Sequence, residues 1–306
     1  MKKIAVIGST NVDMIMKMKS LPDVGETVTD AEFLQTYGGK GANQAVAAAR
    51  AGGDVAFVSC VGEDHYSYLM IENFKRTGMN TEFVMRETGI TSGTALIMIG
   101  EDGNNYLSVA PGANYRLSTK HIDRAKPVID PADIILLQYE ITVETMKYVI
   151  DLAHKQDKTV IWNFAPAREF DMAYLKKISM LVVNEVEAGF LAGVKIQSMD
   201  DVEKAAWTLS GKGPDTVIIT LGAHGSYVVT NGEQHLIPAF KVVAVDTTAA
   251  GDAYCGGLAV ALAEGKSLEE AVRFASAAAG LAVRRLGAQP SIPMRMEIDA
   301  FLKKPR

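Results

Sequence analysis

The chain has 306 residues, 48% of them hydrophobic and 22% charged, with a formal net charge of -5 at pH 7. Such a composition makes a globular protein with a substantial core, in one large or two ordinary domains. The mild negative charge leaves no basic face for nucleic acid or an anionic membrane, so small molecules are the expected partners. Cys60 and Cys255 form neither a disulfide framework nor a Cys/His metal spacing, which fits a reducing cytoplasm.

The chain opens MKKIAVIGSTNVD, and its apolar run stops at Gly8, too short for a signal-peptide core. No apolar stretch approaches the roughly 20 residues needed to span a bilayer, and a cytoplasmic protein is expected. IAVIG (4–8) reads as a buried strand, as do VAFVSCVG (55–62), IILLQ (134–138), TVIW (159–162), MLVV (180–183) and TVIIT (216–220). KVVAV (241–245) reads as a further strand running into a turn. Helical spacing fills 42–53, 143–156 and 267–287; the last opens with the capping box Ser267-x-x-Glu270. Strands buried on both faces and alternating with helices predict an α/β fold, a mostly parallel central sheet with helices on both faces. No separable second domain stands out, so 1–306 is read as one domain.

Two segments break the rhythm, about 12–37 and 93–109. GTALIMIG and NNYLSV flank Glu101-Asp102-Gly103, a hairpin signal. They predict a small projecting β-sheet lid. Met14, Met16 and Met18 share one face there, which suits packing or docking on a second copy of the lid.

Ligands of open α/β sheets bind beyond the carboxyl ends of the strands. The residues that follow the predicted strands include Asn11 and Asp13, Glu140, Asn163, Asn184 and Glu187, Gly222 and Gly225, and Asp246. Any one alone reads as a helix cap. Parallel strands would bring the whole set to one edge. Asn11, Asp13, Asn43 and Glu140 are mainly acceptors, which suits a ligand with several hydroxyls. Lys40 is the one cation near them in sequence, so a neutral polyol or sugar fits better than an anionic substrate. In YGGKGANQ (37–44), Gly38, Gly39 and Gly41 suit a tight turn or a ligand-contacting loop equally, and Asn43 on the next turn favours contact.

DTTAAGDAYCGG (246–257) reads as a turn into a helix starting at Ala249-Ala250-Gly251-Asp252. Free N–H groups and the helix dipole favour negative charge there, and side chains this small let a phosphoryl group reach the backbone. Asp252 would be either a helix-dipole carboxylate or a base beside that anion hole, the pairing that phosphoryl transfer requires. Other phosphate devices are absent: Gly265-Lys266-Ser267 lacks the P-loop glycine, since position 260 is Val260. No GxGxxG follows the first strand, which disfavours a dinucleotide oxidoreductase. The loop TLGAHGS (220–226) suits a hairpin or a cover for nucleotide phosphates.

STNVDM (9–14), GGKGANQAVAAAR (38–50) and DTTAAGDAYCGG resemble the signatures of the ribokinase-type (PfkB) carbohydrate kinases. NFAPAR (163–168), VVNEVEA (182–188), TLGAHG (220–225) and GAQPSIP (287–293) extend the resemblance over the whole chain. It implies phosphorylation of D-ribose at O5 by ATP, with sister kinases for deoxyribose, another sugar or a nucleoside as the alternative. By position it implies that Asn11, Asp13, Gly39, Lys40, Gly41, Asn43 and Glu140 hold the sugar. Asp252 would be the general base, and the N–H groups of Ala250, Gly251 and Asp252 the anion hole. Asn184, Thr220, Gly222, Gly225, Gly251 and Ser276 would bind ATP, with Glu187 acting on Mg²⁺ through water. A K⁺ site would use Asp246, Thr248, Ala282, Arg285, Gly287 and Ser291, several through carbonyls. The lid would form a homodimer interface. Two departures stand out: Ala253-Tyr254-Cys255-Gly256 replaces the Thr-Phe-Asn-Gly of many members, and Ser276 stands where a His is common. A sugar-binding protein without catalysis is disfavoured by Asp252, the anion hole and Asn184-x-x-Glu187 occurring together.

Overall fold

The computed structural model describes residues 1–303. Nine strands make the central sheet, in the order β13 (Glu233–Ile237), β12 (Ser226–Thr230), β11 (Thr216–Thr220), β10 (Met180–Asn184), β9 (Thr159–Asn163), β8 (Ile134–Gln138), β1 (Lys3–Ile7), β4 (Asp54–Gly62), β5 (Val84–Glu87). All neighbours run parallel except β11–β12 and β12–β13. Residues alternate between two cores, as a period of two requires. Ile4 and Val6 join one; Ala5 and Ile7 join the other. The first core is covered by α1 (Lys40–Arg50), α2 (His65–Lys75), α8 (Ala250–Ala263), α9 (Leu268–Ala282) and α10 (Arg295–Leu302). The second is covered by α3 (Thr119–Arg124), α4 (Lys126–Ile129), α5 (Val143–Lys155), α6 (Glu185–Ala192) and α7 (Met199–Ser210). The predicted α/β class and its parallel sheet are therefore correct.

A separate four-stranded sheet has the order β3 (Glu32–Gly38), β2 (Asn11–Met18), β6 (Gly93–Gly100), β7 (Asn105–Ala110). Cross-strand register puts Phe33, Met16, Met98 and Tyr106 in one row. The adjacent row, Leu34, Ile15, Ile97 and Leu107, lies on the opposite face, which β2 shares with Asp13. Phe33, Leu34, Tyr106 and Leu107 are exposed.

Two expectations need correction. KVVAV is not a strand: Val243 and Val245 are exposed, and the segment joins neither sheet. Val242 borders a cavity instead of a neighbouring strand, and the Val245 and Asp246 amides both donate to the Val283 carbonyl. That same contact accompanies the end of α9 at Ala282 rather than at 287. The loop 220–226 turns a hairpin, one of its two expected readings, because β11 and β12 pair antiparallel.

No helix among the described residues is long and apolar enough to cross a membrane.

Candidate active site

The chain builds β1, β4 and β5 outward on one side, then returns to lay β8 on the other side of β1. That reversal opens a crevice beyond the carboxyl ends of β1 and β8. Glu140 bridges it: its Oε2 accepts from the Ser9 hydroxyl (2.6 Å) and from the Lys40 amide (2.9 Å). The Gly39–Gly41 turn lies directly on the β1–β2 connection. A Cβ on Gly39 would sit 2.8 Å from Thr10 Cα, and one on Gly41 would sit 2.5 Å from the Ser9 nitrogen. Close backbone packing thus accounts for both glycines, and it sets the Gly39 turn against the Asn11 amide.

Asn11, Asp13, Asn43 and Asp252 are all buried. The Asn11 Oδ1 accepts from Asn114 Nδ2 (2.8 Å), and Asn114 is itself held by the Thr10 amide (2.9 Å). Asn11 therefore keeps its own N–H groups for a ligand. Among the described residues no donor reaches the Asp13 carboxylate. Burial, then Glu140, then Asp252 push its pKa up from 3.8 to about 7. Asn43 donates to Asp252 Oδ2 (2.9 Å) and leaves its own buried Oδ1 without a partner. This gathering of unfilled acceptors needs a hydroxyl-rich occupant.

α8 begins at a strained residue. Ala249 has φ 59° and ψ 11°, left-handed for a residue with a Cβ, and no side chain caps the helix. Among the described residues, no acceptor lies on the Gly251 or Asp252 N–H. The Ala250 N–H donates to the Thr247 carbonyl at 3.2 Å, so in this geometry the open donors are the next two. A Cβ on Gly251 would meet nothing within 4 Å. Its bareness serves no packing; it leaves room in front of the amides.

Two cavities adjoin at this point and share Thr220, Thr247, Ala250 and Gly251. The smaller, about 190 Å³, is polar and includes Lys40, Asn163, Asn184, Glu187 and Asp252. The larger, about 510 Å³, is mostly apolar and includes Gly222, Gly225, Phe240, Tyr254, Ser276 and Gly280. Burial pulls the Lys40 pKa down, but Asp252, Glu140 and Glu187 outweigh it and hold the ammonium above its ordinary value. Asn184 and Glu187 form a reciprocal capping box at the start of α6, each accepting from the other's amide (2.8 and 2.9 Å). Burial raises the Glu187 pKa, against the pull of the Asn184 amide and Lys40.

Behind the α8 terminus, Asp246 Oδ1 accepts from the Thr248 amide (2.9 Å) and hydroxyl (2.6 Å), and its Oδ2 from the Gly287 amide (2.8 Å). Burial works against the charge, yet these donors hold the carboxyl below its ordinary range. The Arg285 guanidinium pairs with Glu297, so only its carbonyl remains for a cation. Ala282 ends α9 beside this loop, and the Ser291 hydroxyl donates to the Ala288 carbonyl (2.7 Å).

Cys60, Glu87 and His121 also gather, but not as a metal site. His121 Nδ1 accepts from the Ser118 amide (3.1 Å), so Nε2 holds the ring proton and donates to Glu87 (2.8 Å). Burial pushes the Cys60 thiol up to about 12. Cys255 is buried, and burial raises its thiol well above the usual range.

Comparison with known proteins decides the family. The model of the pfkB family of carbohydrate kinases matches residues 1–295. The chain belongs to that family. This pfkB kinase is 39% identical to a ribokinase of Haemophilus influenzae over 99% of both chains. It is 37% identical to a deoxyribokinase of Salmonella typhi over 98% of both. An Arabidopsis thaliana ribokinase, solved with ribose and ATP, superposes with a TM-score of 0.94 at 32% identity over 99% of each chain. All six nucleotide-site residues expected for this kinase line one cavity or the other: Asn184, Thr220, Gly222, Gly225, Gly251 and Ser276. Sequence reasoning missed Asn114, Gln44 and the strain at Ala249. Asn114 had no signal beyond a loop Asn, and Gln44 stood inside a motif whose glycines drew the attention.

Proposed function

We propose that this kinase transfers the γ-phosphoryl group of ATP to O5 of D-ribose. The observation that carries the reading is Asp252, buried beside the open Gly251 and Asp252 amides where the polar and apolar cavities meet. The apolar cavity suits a nucleobase, with Ser276 at its wall. Ribose hydroxyls would bind Asp13, Asn43, Glu140 and the Asn11 amide, over the Gly39–Gly41 turn. Asp252 would take the O5 proton while the phosphoryl group, neutralised by the α8 terminus and Lys40, moves in line. A deoxyribose substrate is the second reading, favoured by the deoxyribokinase relative. The surplus of acceptors suits the sugar with the extra hydroxyl. Phosphorus NMR of the product from ribose and ATP tests the position: a phosphoester on C5 supports the reading, and one on another carbon overturns it.

Magnesium ion takes oxygen ligands and water, and would neutralise the triphosphate. Asn184 and Glu187 fit such a water-mediated role, since their side chains border the polar cavity. Asp246, Thr248 and the carbonyls of Ala282, Arg285 and Gly287, with Ser291 near, suit a K⁺ ion behind the helix terminus. Activity is expected to rise several-fold when K⁺ replaces Na⁺; a flat response would remove that site. The four-stranded sheet would act as a lid over the sugar, and one of its apolar faces would pack on a second copy to form a homodimer, in the cytoplasm.

Gly251→Ala separates ligand space from packing. Helix propensity favours alanine by about 0.5–1 kcal/mol, so Tm should hold or rise. The new methyl group enters the space before the amides, so kcat/KM for ATP should fall about 10- to 100-fold. Unchanged kinetics would show that the space is not used.

A further inference from the structure

Gln44, on α1, is wholly buried next to the proposed base. Its Nε2 donates to Asp252 Oδ1 (2.9 Å) and to Asn163 Oδ1 (3.0 Å). Its Oε1 accepts from Gln138 Nε2 (2.6 Å), at the end of β8. With Asn43 on Oδ2, each oxygen of Asp252 takes one neutral N–H.

A backbone group fixes the direction of this chain of amides. The Val182 carbonyl can only accept, and Asn163 Nδ2 donates to it (3.2 Å). Asn163 must then turn its Oδ1 to Gln44. Gln44 must answer with Nε2, whose second hydrogen goes to Asp252. That leaves Gln44 Oε1 facing Gln138, which must also present Nε2. The last oxygen, Gln138 Oε1, is buried with no partner, and it lies against Gly8, where any side chain would collide with it. An unpaired buried acceptor is unfavourable. It persists at the far end of the relay, where it spares the base from facing a carbonyl.

We infer that Gln44 is a positioning residue for phosphoryl transfer: the Val182–Asn163–Gln44 amide relay, closed by Gln138, orients Asp252 and keeps donors, not acceptors, on its carboxylate. The inference rests on Asp252 being the base. A misdirected base loses rate in the transition state without losing the sugar, so the effect belongs in kcat rather than KM.

The test is a kinetic panel of Gln44→Met, Gln138→Glu, Gln138→Met and Asp252→Asn, with Tm measured for each. Gln44→Met should lower kcat about 10- to 100-fold with the ribose KM within about threefold. Gln138→Glu keeps the shape; protonated, its carboxyl still donates to Gln44, but at a pH high enough to ionise it no hydrogen is offered, so Gln44 is driven to flip and its carbonyl meets Asp252. Gln138→Met demands no direction and should lose less kcat than Gln138→Glu at that pH, where Gln138→Glu alone should lose kcat as pH rises. Equal losses in the two Gln138 variants across the pH range, in step with Tm, would mean packing alone and overturn the relay. Wild-type kcat in Gln44→Met with Asp252→Asn inactive would also overturn it, leaving the base intact. Near-normal turnover of Asp252→Asn would overturn the base assignment and the relay together.

Discussion

Asp252→Ala is expected to lower kcat by about 10² to 10⁴ while ribose still binds within a few-fold. The carboxylate sits at the first turn of α8, 5% exposed, held by Asn43 and Gln44 rather than by a cation. A carboxylate that only stabilised the helix dipole would be worth up to about 1 kcal/mol of stability, and nothing in rate. The two roles therefore separate cleanly. Steady-state kinetics with ribose binding measured by calorimetry decide between them: near-normal turnover with a lowered Tm would leave Asp252 as a cap.

Asp13→Asn is expected to weaken ribose binding about 100-fold or more, since hydrogen bonds to an ionised acceptor are the strong ones. The same change should stabilise the free protein. Burial and the carboxylates of Glu140 and Asp252 raise the Asp13 pKa from 3.8 to about 7. The folded state then binds the proton more tightly than the unfolded chain. The stability this contributes is whole below about pH 4 and is lost as pH rises toward 7. The neutral amide of the variant carries no charge to bury, so its Tm should exceed the wild type's by several degrees at pH 8 and match it near pH 4. Ribose affinity of the wild type should tighten as pH rises through about 7, and the variant should be flat. A Tm difference that does not change with pH would contradict this electrostatic origin.

How much of this was legible depended on what each residue had to satisfy. The parallel strands were plain because burial on both faces demands unbroken apolar runs, as IILLQ shows. KVVAV carries a similar apolar run but borders a ligand-sized cavity, so the run misled. Asp252 and the bare residues before it were legible, because helix termini have known needs. The Ala249 strain was not, since Ala gives no sign of a left-handed backbone. Gly39 and Gly41 were legible as special, but only the fold assigns them to backbone contact with Ser9 and Thr10. Gln44 and Asn114 act through partners 94 to 208 and 103 to 104 positions away in sequence, which no local pattern encodes.

The most direct test is kcat/KM with ATP and Mg²⁺ across ribose, 2-deoxyribose, fructose and adenosine, in K⁺ buffer. Ribose should give the highest value. A higher value on 2-deoxyribose or adenosine, or no ATP consumption with ribose, would contradict the proposed reaction.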